Sequence, residues 1–169
     1  MNIPRGFKPP IVRKEADGVS AFRRYDWYFH RMSSALIGMA KVFLIPCAAT
    51  KPIYSSSLHR KVFQRFALAF GEDRELLVVS EPVVLIAYED LYIMESAFLY
   101  DFPPKKLDQY SRQLFVSRLR ELLSKKDIVG CLPRHHASLI NDAVGENWKN
   151  YWRGDMYNMF RKASTLKVI

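Results

Sequence analysis

The sequence predicts an α/β protein, a three-layer sandwich in which a central parallel sheet is flanked by helices. The first observation is a set of three short, mainly apolar runs, Lys41–Ile45, Glu75–Ser80 and Asp127–Cys131. These runs lack the polar alternation of a strand with one face in water, so we expect both faces of the sheet to be covered. Helical patterns separate the runs, and strands that alternate with helices build parallel sheets.

The first helix is predicted over Val19–Gly38, where large apolar residues recur at helical spacing. These residues are Phe22, Tyr25, Trp27, Phe29, Met32, Leu36 and Ile37. Three arginines, Arg23, Arg24 and Arg31, lie among them. The segment is either a core helix with a basic edge or a surface that stacks bases and contacts phosphates. Helical spacing of aromatic residues favours the core.

Further helices follow the first strand. One opens near Ser56 or Ser57 and ends at Gly71, a C-cap. Another is predicted over Lys105–Lys126, and its inward residues are Leu107, Tyr110, Leu114, Leu119 and Leu122. A short helix over His136–Val144 ends at Gly145. Residues 81–104 allow a short strand, a helical turn or both, and the tail from Asn147 is expected to form a final helix.

Length and composition indicate one globular domain. The chain has 169 residues, of which 49% are hydrophobic. Residues 1–18 are rich in proline and charge and predict an extended arm, which leaves residues 19–169 as the α/β domain. A net charge of +9 indicates a polyanionic partner, most simply nucleic acid, or equally a solvated basic surface.

The cysteine count and the hydropathy of the chain indicate the cellular compartment in which the protein is expected. Two cysteines, Cys47 and Cys131, form no disulfide framework, so a reducing, cytoplasmic setting is expected. The N-terminal residues do not resemble a signal peptide. No apolar run approaches the roughly 20 residues that a membrane-spanning helix needs, so no membrane association is expected.

Two loops at the carboxyl ends of predicted strands carry the polar residues of a candidate site. Ligands of open parallel sheets bind at this edge, and a helix N-terminus there attracts anions. The first loop, Pro46–His59, holds Cys47, Thr50, Lys51 and Ser56 besides His59. The second, Cys131–Ser138, holds Arg134, His135 and His136. If the two strands are neighbours, both loops line one crevice.

The first loop also carries a sequence motif. The segment PCAATKPIYSSSLH resembles the P-C-S-x-T-K-P-Y-x-x-S-x-x-H segment of the central domain of archaeosine synthase and of related archaeal proteins of the tRNA-guanine transglycosylase group. Three further stretches follow in the same order as in that domain: SEPVVLIAYEDL, LYDFP and IVGCLPRHHASLIND. The resemblance spans roughly residues 41–148.

This resemblance implies a fold similar to uracil-DNA glycosylases and a link to tRNA modification, in which a 7-deazaguanine base is processed. The motif positions that carry over are Pro46, Cys47, Thr50, Lys51, Pro52, Ser56, His59, Tyr100, Asp101 and Pro103. The chain departs from the pattern at Ala48, Ile53, Val84 and Ala87, where the family tends to have Ser, an aromatic residue, Gly and Pro. A lost glycine can block close approach to a ligand, which puts catalysis in question more than the fold.

The candidate catalytic residues are Lys51, His59 and Asp101. Lys51 is an anion anchor or, if burial lowers its pKa, a nucleophile. His59 either hydrogen-bonds a base or phosphate or caps its own loop. Asp101 is either a general base or a turn-capping carboxylate. Arg60 and Arg65, on the solvent face of the helix that follows, are candidate RNA contacts.

No cofactor or metal is expected. A metal site would have to draw on Cys47, His59, Cys131 and one of His135 and His136. Their spacing matches no standard zinc pattern, in which paired ligands lie about two to four residues apart. A glycine-rich phosphate loop and a dinucleotide fingerprint are both lacking.

Two functions from different classes remain open. One is a tRNA-modification protein that binds RNA or a 7-deazaguanine-type base in the crevice, with the nucleotide extruded from its stack. The other is a non-catalytic RNA-binding or partner subunit that positions tRNA for a modification enzyme. A DNA glycosylase is a third hypothesis, and it rests on the fold alone.

Overall fold

The computed structural model describes residues 13–14, 18–47, 73–98, 100–101 and 107–152. The strands are β1 (Arg13–Lys14), β2 (Lys41–Pro46), β3 (Glu75–Ser80), β4 (Val84–Ala87), β5 (Tyr100–Asp101), β6 (Asp127–Gly130) and β7 (Lys149–Asn150). The helices are α1 (Gly18–Arg24), α2 (Asp26–Ala35), α3 (Asp90–Ile93), α4 (Gln109–Leu123) and α5 (Arg134–Val144), and a 3-10 turn spans Glu95–Phe98.

The main sheet has five strands in the order β4-β3-β2-β6-β7. Strand β2 pairs in parallel with β3 on one side and with β6 on the other, and β7 continues in parallel. Helices flank this sheet, which is an α/β arrangement consistent with the predicted sandwich. The sheet is not wholly parallel, because β4 follows β3 through a tight turn and pairs with it in the antiparallel sense.

The three predicted core strands are confirmed within one residue at their ends. Strand β2 is buried from Val42 onward, and β3 from Leu76 onward, so the unbroken apolar runs do mark strands covered on both faces. Helix α5 ends at Gly145, as predicted, and Gly145 has a φ of 84° that favours glycine. Residues 81–101 hold both a strand and helical turns.

Other expectations were partly wrong. The helix predicted over residues 19–38 is two helices, with a break at Tyr25. Tyr25 and Phe29 are buried as predicted, but Trp27 of α2 is exposed, and so is Ile37, which lies beyond the end of α2. Tyr28 is fully buried instead, where its hydroxyl donates to Asp90 and accepts from the backbone of Ala87.

Two more corrections concern the second half of the chain. Tyr110 of α4 is exposed and Phe115 is buried instead, whereas Leu119 and Leu122 are buried as predicted. The tail begins with strand β7 where a helix was expected. The helix predicted from Ser56 or Ser57 to Gly71 lies outside the described residues, as does the tail after residue 152.

Gly130 sets how closely β6 approaches β2. A Cβ atom on Gly130 would lie 3.0 Å from the backbone oxygen of Leu44 and 3.2 Å from the indole of Trp148. Neither neighbour can move freely, because Leu44 is in the central strand and the Trp148 indole nitrogen donates to Asn141 at 2.7 Å. The missing side chain is therefore a packing requirement of the sheet.

Substitution Gly130→Ala should destabilise the protein by about 1–3 kcal/mol, the usual result of overpacking a core. Gly38→Ala is the matched control, since nothing lies within 4 Å of a Cβ atom there. That control should be neutral or slightly stabilising. Chemical denaturation monitored by circular dichroism measures both, and equal stabilities for the two variants would contradict the packing account.

Candidate functional site

The polar residues of the candidate site follow three neighbouring parallel strands. Cys47 comes directly after β2, Glu81 directly after β3, and the loop from Cys131 leads from β6 to α5. Because these strands are parallel, all three exits lie at the same edge of the sheet. We call this place the carboxyl edge. It is the edge at which open α/β sheets bind ligands, as the sequence predicts.

The centre of the carboxyl edge is a buried carboxylate held by two histidines. Glu81 is only 2% exposed. Its Oε1 atom lies 2.8 Å from Nε2 of His135, and its Oε2 atom lies 3.2 Å from Nε2 of His136. His136 is buried, whereas the His135 side chain is 40% exposed. One histidine is thus enclosed with Glu81, and the other reaches solvent.

The histidines keep Glu81 ionised. Burial by itself would raise the pKa of Glu81, but hydrogen bonds from His135 and His136, together with the charge of His136, lower that pKa to about 2. A carboxylate that leaves water must be compensated in this way, or it takes up a proton. The carboxyl edge therefore contains a fixed negative charge with histidines attached.

Cys47 joins the same cluster from the neighbouring strand. Its backbone N–H donates to the carbonyl of Val79 at 3.0 Å, which holds the residue beside the end of β3. One ligand atom each from Cys47, Glu81 and His136 lie within 4.8 Å of one another. We call these three residues the Cys–Glu–His cluster.

Tyr100 and Ser80 border the cluster. Both are fully buried, and their hydroxyl groups are hydrogen-bonded to each other. Burial raises the pKa of the Tyr100 hydroxyl well above its usual value, and the charges of Cys47 and Glu81 raise it further. Tyr100 therefore stays protonated and serves as a neutral donor or acceptor at the edge of the site.

Asn150 fixes the loop that presents the histidines. Its side-chain oxygen accepts from the backbone N–H of Leu132 at 3.0 Å, and its side-chain nitrogen donates to the Leu132 carbonyl at 2.9 Å. Two hydrogen bonds to one residue pin the loop between β6 and α5. The first turn of α5 then places His135 and His136 towards Glu81.

The structure brings together part of the predicted site. Cys47, His135 and His136, which come from different loops, meet around Glu81. Arg134 is the exposed first residue of α5. Asp101 lies in β5, where its backbone pairs with Lys14. Six predicted residues lie outside the described ranges: Thr50, Lys51, Ser56, His59, Arg60 and Arg65.

Sequence reasoning missed Glu81, the residue around which the described site is built. Its position in the sequence could have indicated a site residue, since Glu81 is a charged residue directly after a fully apolar strand. Such a residue lies at the carboxyl edge by geometry. No sequence pattern predicts that Glu81 pairs with histidines more than 50 positions later in the chain.

Comparisons with known proteins bear on the fold. No family model and no curated protein matches the chain. The crystal structure of AF0587, a protein of unknown function, superposes on 84% of this chain with a TM-score of 0.55 and 15% sequence identity. This chain spans about half of that structure, 48% of its length. At such identity the likeness shows the fold alone.

The described part of the chain contains no helix that is both long enough and apolar enough to cross a membrane.

Glu81→Gln should lower the free energy of unfolding by about 3 kcal/mol near neutral pH, the equivalent of the pKa shift. The pKa of Glu81 is lower in the folded chain than its ordinary value of 4.5. On acidification the unfolded chain therefore takes up the proton first, and the stabilisation from Glu81 is lost between about pH 4.5 and pH 2.

The stability difference between wild type and Glu81→Gln should accordingly shrink over that acid range. Urea denaturation at a series of pH values measures it. Glu146→Gln, at an exposed position, is the control and should show no such difference. A wild-type advantage that persists undiminished at pH 2 would contradict the ion-pair account.

Proposed function

We propose that this protein takes part in tRNA modification, and that the carboxyl edge receives a 7-deazaguanine-type base together with the RNA that carries it. The observation that carries the proposal is the buried Glu81 carboxylate with its two histidines, next to Cys47 where the first motif begins. Polar machinery of this kind, buried at the ligand-binding edge, is not needed to hold an apolar sheet together.

Glu81 has capacity left for a ligand. A carboxylate offers about four lone-pair positions. The two histidines use one position on each oxygen, and the backbone N–H of Glu81 itself uses a third, which leaves one. A guanine-like base presents adjacent N–H groups, which are the natural donors to such a carboxylate. His135, being partly exposed, is then available to exchange a proton with a bound base.

Two backbone and side-chain details support the resemblance to the archaeosine synthase domain. Val84 stands where that family tends to have glycine, and its φ of 89° lies in the region that glycine adopts freely. A β-branched residue is strained there. Tyr100, at the start of the later Y-D-x-P segment, lies beside Ser80 at the carboxyl edge.

Fold and charge support an RNA partner. A mostly parallel sheet flanked by helices agrees with the uracil-DNA-glycosylase-like fold that we propose on the basis of the resemblance. The net charge of +9 suits a polyanion. Arg134 is exposed at the N-terminus of α5, beside His135, where free backbone N–H groups and a positive dipole end also favour phosphate.

A non-catalytic RNA-binding subunit is the second candidate. The observation in its favour is that both oxygens of Glu81 are already bound by histidines, so the pair can act purely as a structural anchor for the loop after β6. In that case the carboxyl edge binds tRNA for a partner modification enzyme and performs no chemistry. The substitution Lys51→Ala distinguishes the catalytic from the non-catalytic function. It should abolish turnover of the base only if the carboxyl edge is catalytic.

Arg134→Gln should weaken tRNA binding and reduce the dependence of log K on log salt by about 0.7–0.9, the loss of one phosphate contact. Lys125→Gln is the matched control. Lys125 is also exposed, but it precedes β6 and so lies at the opposite, amino edge of the sheet. Fluorescence anisotropy with labelled tRNA at several salt concentrations measures both variants.

The control should bind tRNA with the wild-type salt slope. Equal losses in the two variants would mean that binding depends on overall charge and not on the carboxyl edge. No binding by the wild type at low salt would overturn the RNA partner altogether and leave the positive charge as a solvated surface.

A further inference from the structure

We propose that the Cys–Glu–His cluster is a binding site for a divalent transition metal, with zinc as the best match. The cluster is formed by Cys47, Glu81 and His136, which the fold brings together from the ends of β2 and β3 and from the first turn of α5. This site does not depend on the proposed role in tRNA modification.

The spacing of the three residues suits one metal ion. Zinc binds nitrogen and oxygen at roughly 2.0–2.2 Å and thiolate sulfur at about 2.3 Å, so ligand atoms in a tetrahedral site stand roughly 3–4 Å apart. Nε2 of His136 and Oε2 of Glu81 are 3.2 Å apart, and the ligand atoms of the cluster all lie within 4.8 Å of one another. Small side-chain rotations would complete the coordination.

His135 supplies the support that a metal ligand requires. Carboxylates that bind metals are themselves held by hydrogen bonds from a second layer of residues. His135 contacts Oε1 of Glu81 at 2.8 Å, which turns Oε2 towards His136. One oxygen is therefore fixed by His135, and the other is presented to the cluster.

His136 has one ring nitrogen without a hydrogen-bond partner among the described residues. The residue is 4% exposed, and its Nδ1 atom is buried without a hydrogen-bond partner within the described part of the chain. A buried polar atom without a partner costs about 1–3 kcal/mol. Because the short distance to Glu81 assigns the ligand role to Nε2, Nδ1 is the ring nitrogen that a supporting hydrogen bond would hold.

The donor set selects the class of metal. A thiolate, an imidazole and a carboxylate together favour zinc and its neighbours in the first transition series, whereas magnesium and calcium prefer oxygen ligands alone. Three protein ligands leave a fourth position open, which is the pattern of zinc sites that bind water or substrate. The open position would lie at the carboxyl edge.

Cobalt(II) titration of the purified full-length protein tests the site, because a cobalt–thiolate bond gives an intense near-ultraviolet charge-transfer band. We expect one cobalt per chain with this band, and displacement of the cobalt by zinc. Cys47→Ser should abolish the band, and His136→Gln should abolish or greatly weaken binding. His135→Ala should weaken it by about 10- to 100-fold, as expected for a supporting residue.

Cys131→Ala is the matched control, since Cys131 is the other cysteine of the chain, follows the adjacent strand β6 and is not a member of the cluster. It should bind cobalt as the wild type does. Absence of a thiolate band in the wild type, or a band that survives Cys47→Ser, would overturn the proposal. A band lost in Cys131→Ala and kept in Cys47→Ser would place the metal elsewhere.

Two further measurements keep the outcomes distinct. Circular dichroism of each variant in excess chelator establishes whether that variant is folded. If His136→Gln does not fold, Cys47→Ser decides the test, because it is a near-isosteric change at a half-buried position. The anisotropy assay with tRNA, run on metal-free protein, reports on RNA binding separately. Failure of cobalt binding with tRNA binding intact would remove the metal site alone.

Discussion

The arrangement of this protein's carboxyl edge depends on one interaction, the pairing of the buried Glu81 carboxylate with His135 and His136. Glu81 directly follows β3, and the histidines lie in the first turn of the helix after β6, so the interaction joins two strand exits that are not adjacent in the sheet. Without the histidines, a carboxylate this deeply buried would take up a proton or draw in water. With them, the edge keeps a permanent negative charge whose neighbours are Cys47, Ser80 and Tyr100.

The topology explains why chemistry gathers at this edge. From β2 the chain crosses to β3 on one side, and it later returns to place β6 on the other side. The chain therefore leaves β2 and β6 towards opposite sides of the sheet, and open α/β sheets bind ligands at such a switch point. Close packing at Gly130 and the Asn150 clamp on Leu132 hold the β6 side of that switch point in place. The sheet thus acts as a rigid support for residues that come from distant parts of the chain.

Much of the fold was predictable, because its cause is local. Apolar runs without alternation marked β2, β3 and β6, and Gly145 marked the end of α5. The break at Tyr25 and the antiparallel β4 were not predictable, since both follow from tertiary contacts such as the Tyr28 hydroxyl with Asp90 and Ala87. In the site, the edge and the loops could be predicted from strand ends. The role of Glu81 could not, because it depends on a pairing across more than 50 residues.

Photo-cross-linking of tRNA to the wild-type protein, with the linked peptides located by mass spectrometry, tests most directly whether the carboxyl edge is the functional face. Our account predicts cross-links to peptides that contain Cys47 or residues 131–138, and their loss when the tRNA is displaced by unlabelled competitor. Cross-links confined to the amino edge around Lys125, or to the exposed faces of α2 and α4, would contradict it. In that case the buried Glu81 pair would be a structural anchor, and RNA would meet a different surface of the protein.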